Sequence, residues 1–478
     1  MASELGHKVT TGAIWSSIDR FGNLGLQFIV NLVLARILTP RDFGLIGMLT
    51  IFLMVSQVLV DGGFGSALIQ KRQPTQTDYS TIFFWNVGFS SFLYLILYIS
   101  APWIAGFYHT PLLKEVLRVV GLSLITSSIY TIQIAKLKKS LAFKLLSITN
   151  LSAYVCGALL GIVMAFDGYG VWSLVGMQLA YSIAGIVMLF IITKWYPSLE
   201  FSRTTMKELF GFGGYIMAAN MLETISRNVQ GLIIGRKFSA SQMGYYSQAS
   251  KFNRISSETF PQVIGQVLYP TFSSIQNDSN RMIGVLSRSI RIIAFVTFPI
   301  IGFLIIVAEP LINILYGAKW YPSIPYYQIF CVGGIFACLI NVNFYAVAAL
   351  GHSKLLFKWS IYKWSFLLCA IMVGMKFGIE GIIWGVVCAN FNTYIVNAIL
   401  ACKKLNWSIW KQIWEWGFIL ILVVISFIIG LAVAGWIGLG KWETGGLYLV
   451  CYICLSYLFN RNDFIEMKNL WRMLKTKI

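Results

Sequence analysis

GFILILVVISFII, residues Gly417 to Ile429, is apolar on every face, and FSSFLYLILY, residues Phe89 to Tyr98, is similar in character. Strands of a membrane barrel would alternate polar and apolar residues, and these runs do not alternate. Each belongs to an apolar segment of about 18 to 25 residues, enough to cross a hydrocarbon core about 30 Å thick. Because a helix satisfies its own backbone hydrogen bonds in lipid, the sequence predicts membrane-spanning helices.

The rest of the chain repeats this pattern. Of its 478 residues 57% are hydrophobic and only 12% are charged, which excludes a set of soluble domains. We therefore expect an all-α integral membrane protein of about 14 transmembrane helices. The predicted spans cover residues 12–37, 43–67, 80–107, 116–135, 145–166, 170–192, 208–235, 244–268, 289–308, 325–349, 358–375, 379–402, 412–434 and 443–460.

Basic residues predict the orientation. The net charge is +19, but the charges are dispersed among short loops, which disfavours nucleic acid as a partner. With the N-terminus taken as cytoplasmic, 24 Lys and Arg belong to the N-terminal segment, the even-numbered connections and the tail, against 9 in the odd-numbered connections. This asymmetry predicts that both termini are cytoplasmic. The tail 461–478 is expected to be a basic amphipathic helix on the inner membrane face.

The chain also contains a weak internal repeat. LARILTPRDFGL (Leu34 to Leu45) aligns with IGRKFSASQMGY (Ile234 to Tyr245), so that Gly44 corresponds to Gly244. Two copies of six helices would enter the membrane in the same direction and could enclose a central cavity suited to alternating access. The predicted domains are a six-helix bundle at 1–192, a cytoplasmic connector at 193–207, a second bundle at 208–402, two added helices at 403–460 and the tail.

Charged residues inside spans mark the candidate site, because each costs roughly 2.5 to 3.5 kcal/mol at the centre of a membrane helix. The cations are Arg20, Arg227, Lys251 and Arg254. Polar residues accompany them at helical spacing in the first, seventh and eighth spans, and both stripes of the first and seventh spans should face the cavity. These polar residues are Asp19, Asn23, Gln27, Asn220, Glu223, Gln230, Gln248 and Glu258.

Two interpretations of these charges remain open. Glu223 precedes Arg227 by four residues and Arg254 precedes Glu258 by four, so both could be ion pairs that only hold helices together. A hydrated cavity of net positive charge would instead suit an anion, and guanidinium groups match phosphate oxygens. Asp61, at the end of the second span, is either a helix-end carboxylate or an ion or proton site.

Motifs that would indicate enzymes or metal sites are weak. GWIGLGK (Gly435 to Lys441) has the spacing of a phosphate-binding loop, but Trp442 stands where Ser or Thr is required. Cys451 and Cys454 lie in an apolar span without nearby His, and the chain has only three histidines, far apart. We therefore expect no catalytic residues, no metal, no cofactor and no covalent chemistry.

The segment Thr10 to Arg72, above all LTPRDFGL and DGGFGSALIQ, resembles bacterial polysaccharide transporters of the multidrug, oligosaccharidyl-lipid and polysaccharide exporter superfamily. The likeness is to the lipopolysaccharide and colanic-acid export branch. It implies a flippase that moves an undecaprenyl-pyrophosphate-linked oligosaccharide to the outer leaflet of the bacterial inner membrane, for lipopolysaccharide or exopolysaccharide assembly. By location it assigns Arg20, Arg227, Lys251 and Arg254 to the substrate. Other polysaccharide assembly proteins are possible partners, besides membrane lipids.

Several alternatives stay open. Coupling to H+ or Na+ could use Asp19, Asp61, Glu223 or Glu258. A drug or small-molecule antiporter of the same superfamily would need a net acidic cavity, whereas the charges within spans are mainly basic. A membrane polysaccharide polymerase or ligase would need a large external loop, which this sequence lacks.

Overall fold

The computed structural model describes residues 2–254 and 268–460, and its regular elements in these ranges are all helical. Glu258 and the tail 461–478 lie outside the described residues. The predicted spans lie on helices in the described residues, apart from short breaks such as the one at Gly62 and Gly63, and the all-α membrane fold is confirmed. Among the described residues, eight helical segments are long and apolar enough to cross a membrane, and two of these, Pro40–Gln70 and Leu355–Leu405, each contain two α-helices. The count of fourteen spans stays a prediction.

The chain divides into two compact units, Met1–Gly244 and a second that begins at Tyr245. The helices of the first unit are α1 (Ala2–Ile37), α2 (Pro40–Asp61), α3 (Phe64–Gln70), α4 (Gln76–Phe107), α5 (Leu112–Val120), α6 (Leu122–Lys139), α7 (Phe143–Phe166), α8 (Val171–Thr193), α9 (Arg203–Lys237) and the start of α10 (Ala240–Asn253).

The second unit continues from α10, and a short helical stretch at 268–274 opens its next described part. Its helices are α11 (Ser279–Ile306), α12 (Ala308–Tyr316), α13 (Ile324–Ala349), α14 (Ser353–Gly374), α15 (Gly378–Leu405), α16 (Ile409–Ile437) and α17 (Lys441–Phe459). Two 3-10 turns, Ala318–Ser323 and Met375–Phe377, join α12 to α13 and α14 to α15.

The division of the units differs from the predicted domain boundary at 193–207. Helix α9, the predicted first helix of the second bundle, packs along α2 and touches α3 and α4 of the first unit. Close backbone approach makes this packing tight: a Cβ added to Gly213 would lie 2.7 Å from the carbonyl oxygen of Gly62. The two six-helix bundles therefore stay a prediction from the repeat, while α9 belongs by its contacts to the first unit.

Breaks in the helices occur where glycine is required. Gly62 and Gly63 have φ of 53° and 71°, a left-handed conformation that separates α2 from α3 inside the second predicted span.

Exposed tryptophans lie near both ends of α16. Trp410 and Trp414 are exposed near its start and Trp436 near its end. Trp414 and Trp436 are 22 residues apart, about 33 Å along a helix. This spacing matches a hydrocarbon core about 30 Å thick with aromatic side chains at both interfaces.

Candidate functional site

The polar stripe of α1 is partly embedded in the first unit. The Asp19 carboxylate accepts hydrogen bonds from Nδ2 of Asn23 at 2.9 Å and from Nδ2 of Asn150, on α7, at 3.3 Å. All three side chains are half-buried, as is Arg20, whereas Gln27 is exposed. The carboxylate thus joins α1 to α7 through amide donors, which neutralise none of its charge.

The stripe of α9 is exposed. Nε of Arg227 donates to Oε1 of Glu223 at 2.9 Å, and the two side chains are 61% and 59% exposed. Asn220 is also exposed and Gln230 is half-buried. The ion pair between Glu223 and Arg227, one of the two interpretations of the sequence, is therefore present. In the described part of the chain, its contact is made through Nε of the guanidinium. The terminal nitrogens of the guanidinium can still donate to an anion.

The remaining predicted cations lie on α10 and just beyond it, in the second unit. Lys251 is half-buried and Arg254 is exposed, next to the range 255–267. Gln248 is buried, and its Nε2 has no hydrogen-bond acceptor among the described residues. Arg20 and Arg227 belong to the first unit. The convergence of all four cations on one cavity therefore stays a prediction.

Asp61 is the last residue of α2. Its half-buried carboxylate accepts a hydrogen bond from the backbone N–H of Gly63 and faces the charge of Lys138. These contacts are those of a carboxylate at a helix end. An additional role for Asp61 in ion coupling stays a prediction.

Lys363, on α14, is a buried cation that the sequence analysis did not single out. Its Nζ donates to Oδ1 of Asn397 at 3.1 Å, and Nδ2 of Asn397 donates to the carbonyl oxygen of Ile340. Among the described residues no carboxylate forms an ion pair with it. The count of basic residues in the sequence analysis assigns Lys363 to a connection. Lys363 nevertheless lies five residues into the predicted span 358–375, and this position was the sequence signal of a buried cation.

A second feature missed from the sequence joins α4 to α9. Nζ of Lys71 bonds the carboxylates of Asp78 at 3.2 Å and Glu208 at 3.1 Å, and Thr205 donates to Asp78 at 2.9 Å. Burial lowers the pKa of Lys71, but the hydrogen bonds to Glu208 and Asp78 outweigh this and raise it above its usual value. We call these four residues the connector network.

The connector between α8 and α9 also lies on the start of α4. The backbone N–H of Ser198 donates to Ser80, that of Ser202 donates to Thr81, and Trp195 Nε1 donates to Gln76 at 2.6 Å. The connector thus links the start of α4 to the start of α9, on the side predicted to be cytoplasmic.

At the opposite ends of these helices the two copies of the repeat meet. A Cβ built on Gly44 would overlap the carbonyl oxygen of Ala240, and one built on Gly244 would overlap that of Pro40. The contact is reciprocal, because Pro40 aligns with Ala240 and Gly44 with Gly244. It brings together the connections that follow the first and seventh spans, which the basic-residue asymmetry predicts to lie outside.

Sequence comparisons identify a family. A family profile described as polysaccharide biosynthesis protein matches residues 33–325. Teichuronic acid biosynthesis protein TuaB of Bacillus subtilis is 27% identical over 74% of this chain and 73% of its own. Lipopolysaccharide biosynthesis protein WzxC of Escherichia coli is 23% identical over 90% and 89%. Succinoglycan biosynthesis transport protein ExoT of Rhizobium meliloti is 23% identical over 79% and 76%.

Solved structures share the fold. A structure described as lipid II flippase MurJ in an inward closed conformation superposes with a TM-score of 0.71, covering 95% of this chain and 100% of that one at 15% identity. A structure described as an inward-facing multidrug resistance transporter of the MOP superfamily gives 0.63, with 80% and 94% covered at 14% identity. At these identities the structures show the fold alone.

Proposed function

The chain belongs to the polysaccharide biosynthesis protein family, and from that premise we propose that it flips an undecaprenyl-pyrophosphate-linked oligosaccharide across the bacterial inner membrane. In this proposal the lipid enters from the cytoplasmic leaflet and leaves into the outer leaflet by alternating access. Both termini are cytoplasmic and the protein carries out no covalent chemistry. The product serves the assembly of a surface polysaccharide.

The observation that carries the proposal is the common subject of the relatives' names. TuaB, WzxC and ExoT are each named for the biosynthesis of a surface or secreted polysaccharide, and ExoT is named as a transport protein. They match this chain over most of their lengths, so the likeness is not confined to one motif. A transport step is a part of such biosynthesis that a helical membrane fold of this kind can perform.

The exposed pair on α9 supports an anionic lipid headgroup. A side chain that is 61% exposed inside a predicted span, as Arg227 is, needs water or an anion around it, because lipid would leave the charge unsolvated. A pyrophosphate with about two negative charges would also gain roughly 4.6 kcal/mol on moving outward through 100 mV, inside negative.

A multidrug antiporter is the competing transporter, since it has the same fold. In the polar stripes that the sequence predicts, the four candidate cations Arg20, Arg227, Lys251 and Arg254 exceed the carboxylates Asp19, Glu223 and Glu258 by one, which favours an anion over a cationic drug. The relatives' names favour the same substrate.

Reconstitution tests the proposal. Proteoliposomes that contain a pyrophosphate-linked oligosaccharide on both leaflets would be treated with periodate outside, and the oxidised fraction followed over time. The flippase should make the inner pool accessible, while protein-free vesicles should stop at the outer pool. If only a cationic dye is transported, with no movement of the lipid-linked oligosaccharide, the antiporter is the correct assignment.

A further inference from the structure

The α14–α15 hairpin carries an open apolar groove that the proposed transport does not use. The groove has a volume of about 670 Å³ and lies wholly in the second unit. Phe366, Val373 and Phe377 form one wall and Trp384 stands on the other, with Cys369 and Cys388 exposed between them. A volume of this size is typical of a ligand site.

Small residues set the depth of the groove. A Cβ added to Gly374 or Gly381 would overlap the backbone carbonyl of the other glycine, and one added to Gly385 would lie 2.6 Å from the carbonyl oxygen of Ala370. The helices can approach this closely only without side chains at these positions. The floor of the groove is therefore backbone, and the aromatic side chains rise above it.

The length of the groove matches one leaflet. Phe366 and Phe377 are 11 residues apart, with α14 continuing to Gly374 and the 3-10 turn completing the distance, about 18 Å in all. Half of a hydrocarbon core is about 15 Å. One extended hydrocarbon chain would lie along the groove from the membrane surface to the bilayer midplane.

Glu380 is the charged residue among those that line the groove, and it is exposed. Lys376, outside the lining, is exposed in the 3-10 turn that joins the two helices. Tyr326 faces Glu380 from α13. An apolar groove with one carboxylate and one ammonium at its mouth matches an amphiphile whose head carries both an ammonium and a phosphate.

We propose that this groove binds a zwitterionic glycerophospholipid of the phosphatidylethanolamine type, with an acyl chain along α14 and α15. Glu380 receives the ammonium of the headgroup and Lys376 lies beside its phosphate. A pyrophosphate-linked lipid is the weaker occupant, because its two or so negative charges would face the Glu380 carboxylate. The proposed topology places this headgroup in the outer leaflet, since the turn at 375–377 follows the eleventh span.

The native cysteines provide the measurement. The purified full-length protein in detergent would be titrated with palmitoyl-oleoyl phosphatidylethanolamine, phosphatidylcholine, phosphatidylglycerol or undecaprenyl phosphate. Maleimide labelling of each cysteine would then be followed by peptide mass spectrometry. Phosphatidylethanolamine should slow labelling of Cys369 and Cys388 but not of Cys156 and Cys454, which are exposed on other helices.

Variants separate the headgroup contact from mere solvation. Glu380→Gln should raise the phosphatidylethanolamine concentration for half-protection by about two- to fivefold, as expected for an exposed ion pair. Glu443→Gln, also exposed and in the first turn of a helix, is the matched control and should change nothing. Cys369→Phe, which places bulk in the groove from an exposed position, should abolish the protection of Cys388.

Three results would overturn the proposal. Equal protection by all four lipids would mean that the groove is only solvated. Protection by undecaprenyl phosphate alone would assign it to the transported lipid. Unchanged protection in Glu380→Gln would remove the headgroup contact. The readout needs no transport, so it is independent of whether the protein is a flippase.

Discussion

The repeated segment occurs twice, once as α1 with the start of α2 and once as α9 with the start of α10. The two copies are alike at their ends and different along their lengths. At the ends, Thr39 with Asp42 and Ser239 with Gln242 form the same side-chain-to-backbone caps, and Gly44 and Gly244 form the same contact. Along the helices, Asp19 is held by amides of its own unit, whereas Glu223 and Arg227 are exposed. The two aligned segments thus share their end contacts but differ in the surroundings of their charged stripes.

The largest effect on transport should come from disrupting the reciprocal contact of Gly44 and Gly244. Gly44→Ala and Gly244→Ala each place a methyl group against a backbone carbonyl, so the two connections must separate. Overpacking of this kind costs up to about 3 kcal/mol, which shifts a conformational equilibrium by about a hundredfold. Transport in proteoliposomes should fall accordingly, and a cysteine at Asn23 should become reactive to an impermeant maleimide from outside.

Two glycines provide matched controls for this prediction. Gly25 on α1 and Gly88 on α4 have no neighbouring atom within 4 Å of an added Cβ. Gly25→Ala and Gly88→Ala should therefore transport normally. Normal transport in Gly44→Ala as well would show that the reciprocal contact is not part of the cycle.

The next effect concerns the exposed stripe. If Arg227 contacts the pyrophosphate, Arg227→Gln should lose about 1.5 to 3 kcal/mol of binding, or ten- to a hundredfold in apparent affinity, at normal protein level. The Glu223→Gln, Arg227→Gln double variant separates this role from simple pairing. We expect little recovery of transport, because the substrate contact is still missing; full recovery would assign Arg227 to the ion pair alone.

The difference between the two stripes also shows what the sequence could predict. The spacing of polar residues by four predicted both stripes, because the helical period is a property of neighbouring residues. The similar residues around Thr39 and Ser239 indicated the repeat, because local caps are also set by neighbouring residues. The donor to Asp19, Asn150, lies 131 residues away on another helix, and the Lys71 contact to Glu208 spans 137. Such partners are set by tertiary packing, which one sequence does not reveal. Lys363 is different, because its position inside a predicted span could be read from the sequence, and only its hydrogen bond to Asn397 is set by tertiary packing.

A smaller effect is expected for the embedded stripe. Asp19→Asn keeps the shape of the side chain but weakens the acceptor for Asn23 and Asn150. Side-chain hydrogen bonds in membrane proteins are worth about 0.6 kcal/mol on average, so we expect a small loss of thermal stability and transport within about threefold of normal. Asp167→Asn, at the exposed end of α7, is the control. If instead Asp19→Asn removes a dependence of transport on a H+ or Na+ gradient, Asp19 is the coupling site.

The smallest effect, and the most direct test of likeness, concerns the caps. The backbone N–H of Gln242 donates to Oγ of Ser239 at 3.2 Å, and Oγ1 of Thr39 donates to the Asp42 carboxylate at 2.6 Å. Replacing a capping Ser or Thr by Ala costs about 0.5 to 2 kcal/mol. Because all four residues are at least partly exposed, the stability costs of Thr39→Ala and Ser239→Ala should both lie near the lower limit of this range. Thermal unfolding of each variant in detergent, followed by tryptophan fluorescence, would measure the two costs. Similar costs are expected if the two ends are equivalent parts of one reciprocal contact. A cost confined to Thr39→Ala would mean that only the first copy keeps a functional cap.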